Sequence, residues 1–165
     1  MSLAVDVSAD GVRPPISATR AADLARRVLA AEGVRDAMLS IAFVSAPAIA
    51  RLNRAHLGHR GATDVISFGF AAAGREGVVG DVYISPEVAR DNARRHGVGV
   101  REEVARLVVH GTLHVLGYDH PEGEEREGSE MWRRQEQLVR RYFLAPASRR
   151  VARKGPSTSA KGSAP

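Results

Sequence analysis

The 165-residue chain has no cysteine, which excludes disulfides and thiolate ligands. Any transition metal it holds must therefore be bound through histidine, carboxylate or water. It also has no apolar run near the roughly 20 residues that would span a bilayer. The first fifteen residues carry Asp6 and Asp10 and no sustained apolar stretch, so no export signal is expected and the chain reads as soluble and cytoplasmic. An internal repeat is missing as well. The net charge of +5 and pI near 10.4 suggest a nucleic-acid footprint, but the body of the chain lacks that surplus. Arg149, Arg150, Arg153, Lys154 and Lys161 lie near the C-terminus with no acid among them, and without these five the 24 basic residues fall to 19 against 19 acidic ones. Residues 147–165, small, polar and proline-bearing, are expected to form a disordered basic tail. Such a tail either adds nonspecific attraction to RNA or is an inert extension. With 44% hydrophobic content, residues 1–146 suit a single domain with a sizeable core.

Strand and helix signals alternate along that domain. Leu3 to Val7 reads as a strand and Thr19 to Glu32 as a helix, with Ser17 as its cap and Gly33 as its stop. Met38 to Val44 alternates as a second strand, and Ser45-Ala46-Pro47 opens a second helix. Thr63 to Phe70 and Val78 to Ile84 are β-rich and form a hairpin around residues 71–77. Ser85-Pro86-Glu87 starts a helix to about His96, Gly97 and Gly99 interrupt, and a further helix runs over about 101–116. After the glutamate-rich residues 122–130, a last helix carries Met131, Leu138, Val139 and Phe143. This interleaving predicts an α/β (α+β) fold: a small mixed four-stranded sheet packed with helices around a central histidine-bearing helix.

Half of the six histidines lie within eleven residues, as His110-Gly111-Thr112-Leu113-His114-Val115-Leu116-Gly117-Tyr118-Asp119-His120. At 3.6 residues per turn, His110 and His114 share a helix face, and a stop at Gly117 lets His120 fold back towards them. This i, i+4, i+10 spacing matches the ligand frame of metzincin-type zinc sites. Three imidazoles leave a tetrahedral zinc one vacant position, where a water's pKa falls to about 7, so the pattern points to a hydrolase. The flanking valines and leucines are apolar almost all round, as in a buried helix, where a metal gives the imidazoles a partner.

What the motif omits narrows the chemistry. Zinc peptidases with this spacing place a glutamate directly after the first histidine as general base, and here that position is Gly111. Glu103, two turns earlier on the same face, and Asp119, beside the last histidine, are the substitutes on offer; Asp119 equally suits turn chemistry ahead of Pro121.

The histidine run resembles the His-Gly-x-Leu-His-x-x-Gly-Tyr-Asp-His signature of the YbeY family of ribosomal-RNA maturation endoribonucleases. Leu52-Asn53, Thr63-Asp64-Val65-Ile66-Ser67-Phe68 and Gly80-Asp81-Val82-Tyr83-Ile84-Ser85 follow the family's order, and the likeness spans roughly residues 38–144. The resemblance implies a zinc-dependent, single-strand-specific endoribonuclease acting on the 3′ end of 16S ribosomal RNA and in quality control of the small ribosomal subunit. It implies one zinc per chain, with His110, His114 and His120 as ligands and the Thr63 to Phe68 strand lining the cleft; neither DNA nor a membrane is expected as a partner. Many members carry an arginine five residues after the leucine of Leu-Asn, thought to contact the scissile phosphate. Here that position is Leu57, which cannot donate forked hydrogen bonds to a phosphate. Arg51, Arg54, His56, His59 and Arg60 make the stretch basic, and Arg60, with Asp119, is the leading candidate for a catalytic side chain. Two other readings are a zinc peptidase and a noncatalytic ribosome-assembly factor with a structural zinc, the latter favoured if Asp119 closes the fourth position.

Overall fold

The structure is a computed structural model that describes residues 2–70, 77–121 and 123–145. Strand β1 (Leu3–Ala9) leads into helix α1 (Ala18–Ala31), then β2 (Ala37–Phe43), α2 (Ala46–Leu52), β3 (Val65–Phe70) and β4 (Val78–Ile84). Helices α3 (Pro86–His96), α4 (Val100–Val115) and α5 (Glu130–Val139) complete the order. The four strands form one mixed sheet, ordered β1-β2-β4-β3. β1, β2 and β4 run parallel and β3 runs antiparallel at the edge; the sheet is mixed and four-stranded, with the β3–β4 hairpin, as the sequence predicts. The expected tip at 71–77 falls almost wholly, and the expected tail at 147–165 entirely, outside the described residues. No helix among the described residues is long and apolar enough to cross a membrane.

The helix boundaries follow local chemistry. Ser17, Ser45, Ser85 and Ser129 each accept a hydrogen bond from a first-turn backbone amide, satisfying a donor the helix cannot. Pro47 and Pro86 occupy early helical positions, where a missing N–H does least harm. Two π-helical turns, Asn53–Leu57 after α2 and Arg140–Leu144 after α5, have no counterpart in the sequence pattern.

One face of the sheet is packed with helices. Leu39, Ile41, Phe43, Val82 and Ile84 point from it into the main core, against Leu24 and Val28 of α1 and Val104, Val108, Val109 and Leu113 of α4. Among the described residues, the other face is covered by α2 around Ala42, Ile66, Phe68 and Tyr83, while Met38 and Ser40 are exposed.

Helix α4 lies unusually close to this sheet, and glycine makes that approach possible. A Cβ on Gly111 would meet Val82 Cγ1 at 2.5 Å, and one on Gly80 would meet Val115 Cγ1 at 2.4 Å. Gly69, paired with Gly80 across the hairpin, would bring a Cβ to 3.0 Å from the Val115 carbonyl oxygen. Bare backbone on both surfaces therefore lets the helix seat deeply, with His110 and His114 at its C-terminal half beside β3.

Candidate metal centre

The histidine helix ends as its sequence requires. Gly117 adopts φ +99, the left-handed region that a side chain disfavours. The Gly117 amide donates to His114 O at 2.9 Å and the Tyr118 amide to Leu113 O at 3.1 Å, which closes the last turn and sends the chain back. The reversal is anchored at Tyr118, whose hydroxyl donates to Glu32 Oε2 at 2.7 Å. Glu32 also receives Arg134 Nε, so the end of α1, the turn and α5 are tied together.

This path brings the three imidazoles into one cluster. Ring centroids lie 4.6 Å apart for His110 and His114, 5.1 Å for His110 and His120, and 5.0 Å for His114 and His120. One nitrogen of each falls within 4.8 Å of the others. The hydrogen bonds identify which nitrogen that is. His114 Nδ1 donates to Tyr118 O at 2.9 Å, His120 Nδ1 to Pro121 O at 3.0 Å, and His110 Nδ1 to Gln135 Oε1 at 2.6 Å. Oxygen acceptors on every Nδ1 fix the tautomer and leave each Nε2 without a proton, its lone pair free to coordinate. Three convergent imidazole lone pairs suit a borderline divalent metal. Asp119 does not join them: its Oδ1 accepts from the His120 amide at 2.8 Å, which is turn chemistry. Among the described residues the group has three members and no fourth.

The electrostatics agree. Burial pushes the His110 imidazole down to about 3, reinforced by the positive character of its neighbours His114 and Arg126 against the opposing Gln135 bond. His114 is lowered too, first by burial and then by His120. Both are thus held neutral, as a metal ligand must be. The sign of the pH effect follows. The unfolded chain takes up a proton near the ordinary 6.5 while folded His110 refuses it, so stability is full above pH 6.5 and is lost as pH falls towards 3. At pH 5 the loss is expected to be about 2 kcal/mol. Urea midpoints of the metal-free protein between pH 7 and 5 measure it, and a His110→Asn variant with an unchanged slope would refute the assignment.

Gln135 was not foreseen from sequence, although it is the one polar side chain on the buried face of α5, among Met131, Leu138 and Val139. Its carbonyl aims the His110 ring. Gln135→Leu is therefore expected to weaken metal binding about 10- to 100-fold with the fold retained, measured by competition against a chromophoric chelator; unaltered affinity would remove Gln135 from the site.

The imidazoles stand at the floor of an open cleft of about 540 Å³, with Thr63 to Ser67 along one wall and Leu57, His59 and Asp119 at the rim. Arg126 also lines it, another residue that sequence reasoning passed over. Arg60 does not line this cleft but faces a neighbouring depression with Arg51 and Arg54. Glu103 lines an adjoining cavity that shares Asp64, His110 and Arg126 with the cleft, and it is buried and 3.7 Å from Arg106. Burial raises its carboxyl above the usual range, against the pull of Arg106.

Comparison with known proteins places these features in context. The family model described as Endoribonuclease YbeY matches residues 10–143. The Endoribonuclease YbeY of Bacillus licheniformis is 36% identical, covering 90% of this chain and 100% of its own. That of Kineococcus radiotolerans is 38% identical over 96% of this chain and 92% of its own. That of Beutenbergia cavernae is 43% identical over 68% and 82%. The solution structure of a Thermotoga maritima protein shares the fold, with a TM-score of 0.58 at 22% identity over 93% of this chain and 98% of that one.

Proposed function

This chain belongs to the YbeY family of endoribonucleases, and from that membership we propose that it is a zinc-dependent, single-strand-specific endoribonuclease. Its substrate on this reading is the 3′ region of 16S ribosomal RNA in the small subunit, during maturation and quality control in the cytoplasm. The observation that carries the proposal is the set of three convergent imidazole nitrogens in an accessible cleft, with no fourth protein ligand among the described residues. A structural zinc normally closes its fourth position with a side chain, whereas a catalytic one keeps it open. A zinc ion bound there would supply a Lewis acid and a water of lowered pKa.

The chain's own groups supply the rest. His110, His114 and His120 are the proposed ligands, oriented by Gln135 and by the Tyr118 and Pro121 carbonyls. On this reading Asp119, which lines the cleft, takes a proton from the attacking nucleophile through its carboxylate, one oxygen of which accepts from the His120 amide. Arg60, with Arg51 and Arg54, forms a basic ledge beside the cleft suited to phosphates of the flanking strand.

Cleavage of a single-stranded RNA oligonucleotide by the zinc-loaded protein, with duplex RNA and single-stranded DNA alongside, tests this function. Cutting of the single-stranded RNA alone is expected, and no cutting by a fully loaded preparation would refute it. The ledge has its own test. Arg60→Ala is expected to weaken cleavage about 3- to 10-fold, mostly in KM, as one phosphate contact is lost, while Leu57→Ala leaves it nearly intact. Equal small effects from both would remove Arg60 from the substrate path.

A further inference from the structure

Arg126 lies on the 3₁₀ segment Gly123–Gly128 between α4 and α5, and among the described residues it is the one arginine lining the histidine cleft. Its Nη2 approaches His110 Nε2 at 3.4 Å, donating towards the lone pair that a metal would use. Its Nε is buried without a hydrogen-bond partner, and it is the one such side-chain atom among the described residues. No carboxylate lies within ion-pair distance of it there, although α4 and α5 place several nearby: Arg106 is bonded to Glu136 at 3.0 Å and Glu102 at 3.4 Å, while Arg126 has no such partner among the described residues.

Two costs thus meet at one guanidinium. An orphaned buried donor is penalised by lost hydration, and a fixed cation beside His110 opposes the arrival of a metal ion. A single ligand relieves both: an oxyanion seated between guanidinium and metal neutralises the two charges and accepts from the free N–H. Arginine is the side chain whose planar fork matches phosphate oxygens. Leu57, by contrast, presents only an apolar side chain to the same cleft.

We propose that Arg126 is the phosphate-binding cation of this active site, donating to the non-bridging oxygens of the phosphodiester that is cut and stabilising the charge that grows on them in the transition state. The inference rests on the endoribonuclease reading for the identity of the substrate, but not for the oxyanion chemistry itself. It assigns Arg126 a role distinct from that of Arg60, which binds outside the cleft.

The test uses the full chain loaded with zinc, as wild type, Arg126→Gln and Arg126→Lys, each checked for unaltered thermal unfolding. Zinc affinity measured on the metal-free proteins should be equal or tighter in Arg126→Gln, because the competing cation is gone. Inorganic phosphate binding to the zinc-loaded proteins, read by calorimetry, should fall at least tenfold in Arg126→Gln and less in Arg126→Lys. Cleavage of single-stranded RNA should fall about 100-fold or more in Arg126→Gln, mainly in kcat. Phosphate affinity within twofold of wild type in Arg126→Gln, or zinc affinity lost in that variant, would overturn the assignment. If wild type binds phosphate in an Arg126-dependent way yet cuts no RNA, the endoribonuclease reading fails and the oxyanion site stands.

Discussion

His114→Ala is expected to abolish RNA cleavage, by about a thousandfold or more, and to release the metal, while leaving the fold intact. The three imidazoles are the whole protein ligand set among the described residues, so removing one leaves two, and no carboxylate in the cluster stands ready to replace it. Losing the Lewis acid forfeits several kcal/mol of transition-state stabilisation, and each 1.4 kcal/mol is a factor of ten. His114 is the preferred position for this test because it is only partly buried, whereas His110 is 4% exposed and bonded to Gln135. Removing His114's ring disturbs little packing. Metal content by elemental analysis, circular dichroism and cleavage of single-stranded RNA together decide the matter; a variant keeping both metal and activity would end the case for this site.

The second large effect concerns Gly111→Glu, the substitution that would write the zinc-peptidase motif into this helix. It is expected to destabilise the fold by more than about 3 kcal/mol and to produce no peptidase activity. A Cβ at 111 already meets Val82 Cγ1 at 2.5 Å and Val82 Cγ2 at 3.2 Å. Val82 is fully buried and β-branched, so it has little freedom to turn aside. Overpacking of this kind costs about 1–3 kcal/mol, more than the roughly 1 kcal/mol by which alanine improves on glycine within a helix. A glutamate adds a buried, unpaired carboxylate. In this fold position 111 faces Val82 and Val65 of the sheet, so a side chain there must displace packed valines before it can approach the cleft. Urea denaturation of Gly111→Ala and Gly111→Glu reads both terms. A folded Gly111→Glu protein of native stability would rule out the close approach of α4 to β4.

Much of this architecture was legible in the sequence because its signals were local. The alternation from Met38 to Val44 fits β2, where Leu39, Ile41 and Phe43 are buried and Met38 and Ser40 exposed. Serine caps and early prolines fixed the starts of α1, α2 and α3 within a residue. The three-histidine cluster was legible for the same reason: its members span eleven residues of one helix and one turn. Gln135 and Arg126 escaped notice because they lie 25 and 16 residues beyond His110, on segments that only the packing of α5 against α4 brings back to it. A buried-face glutamine in an otherwise apolar stripe was the available clue to the first. For Arg126, in a run of glutamates and glycines, no periodicity exists to read. The placement of Arg60 outside the cleft depends on the π-helical turn Asn53–Leu57 and on Gly58 at φ +68, features set by tertiary packing and not by residue spacing.

The three imidazoles come from a single short stretch of chain, and this bears on the order in which the molecule is put together. Nothing in the sheet or in the Leu24, Val28, Val104 and Val108 layer depends on an ion to join distant segments, so the scaffold can assemble first and be charged with its cation afterwards. A chelator that strips such a cation is then expected to idle the protein without dismantling it, and replenishment to restore it. Activity thereby becomes answerable to the supply of metal in the surrounding solution, on a timescale set by exchange and not by refolding.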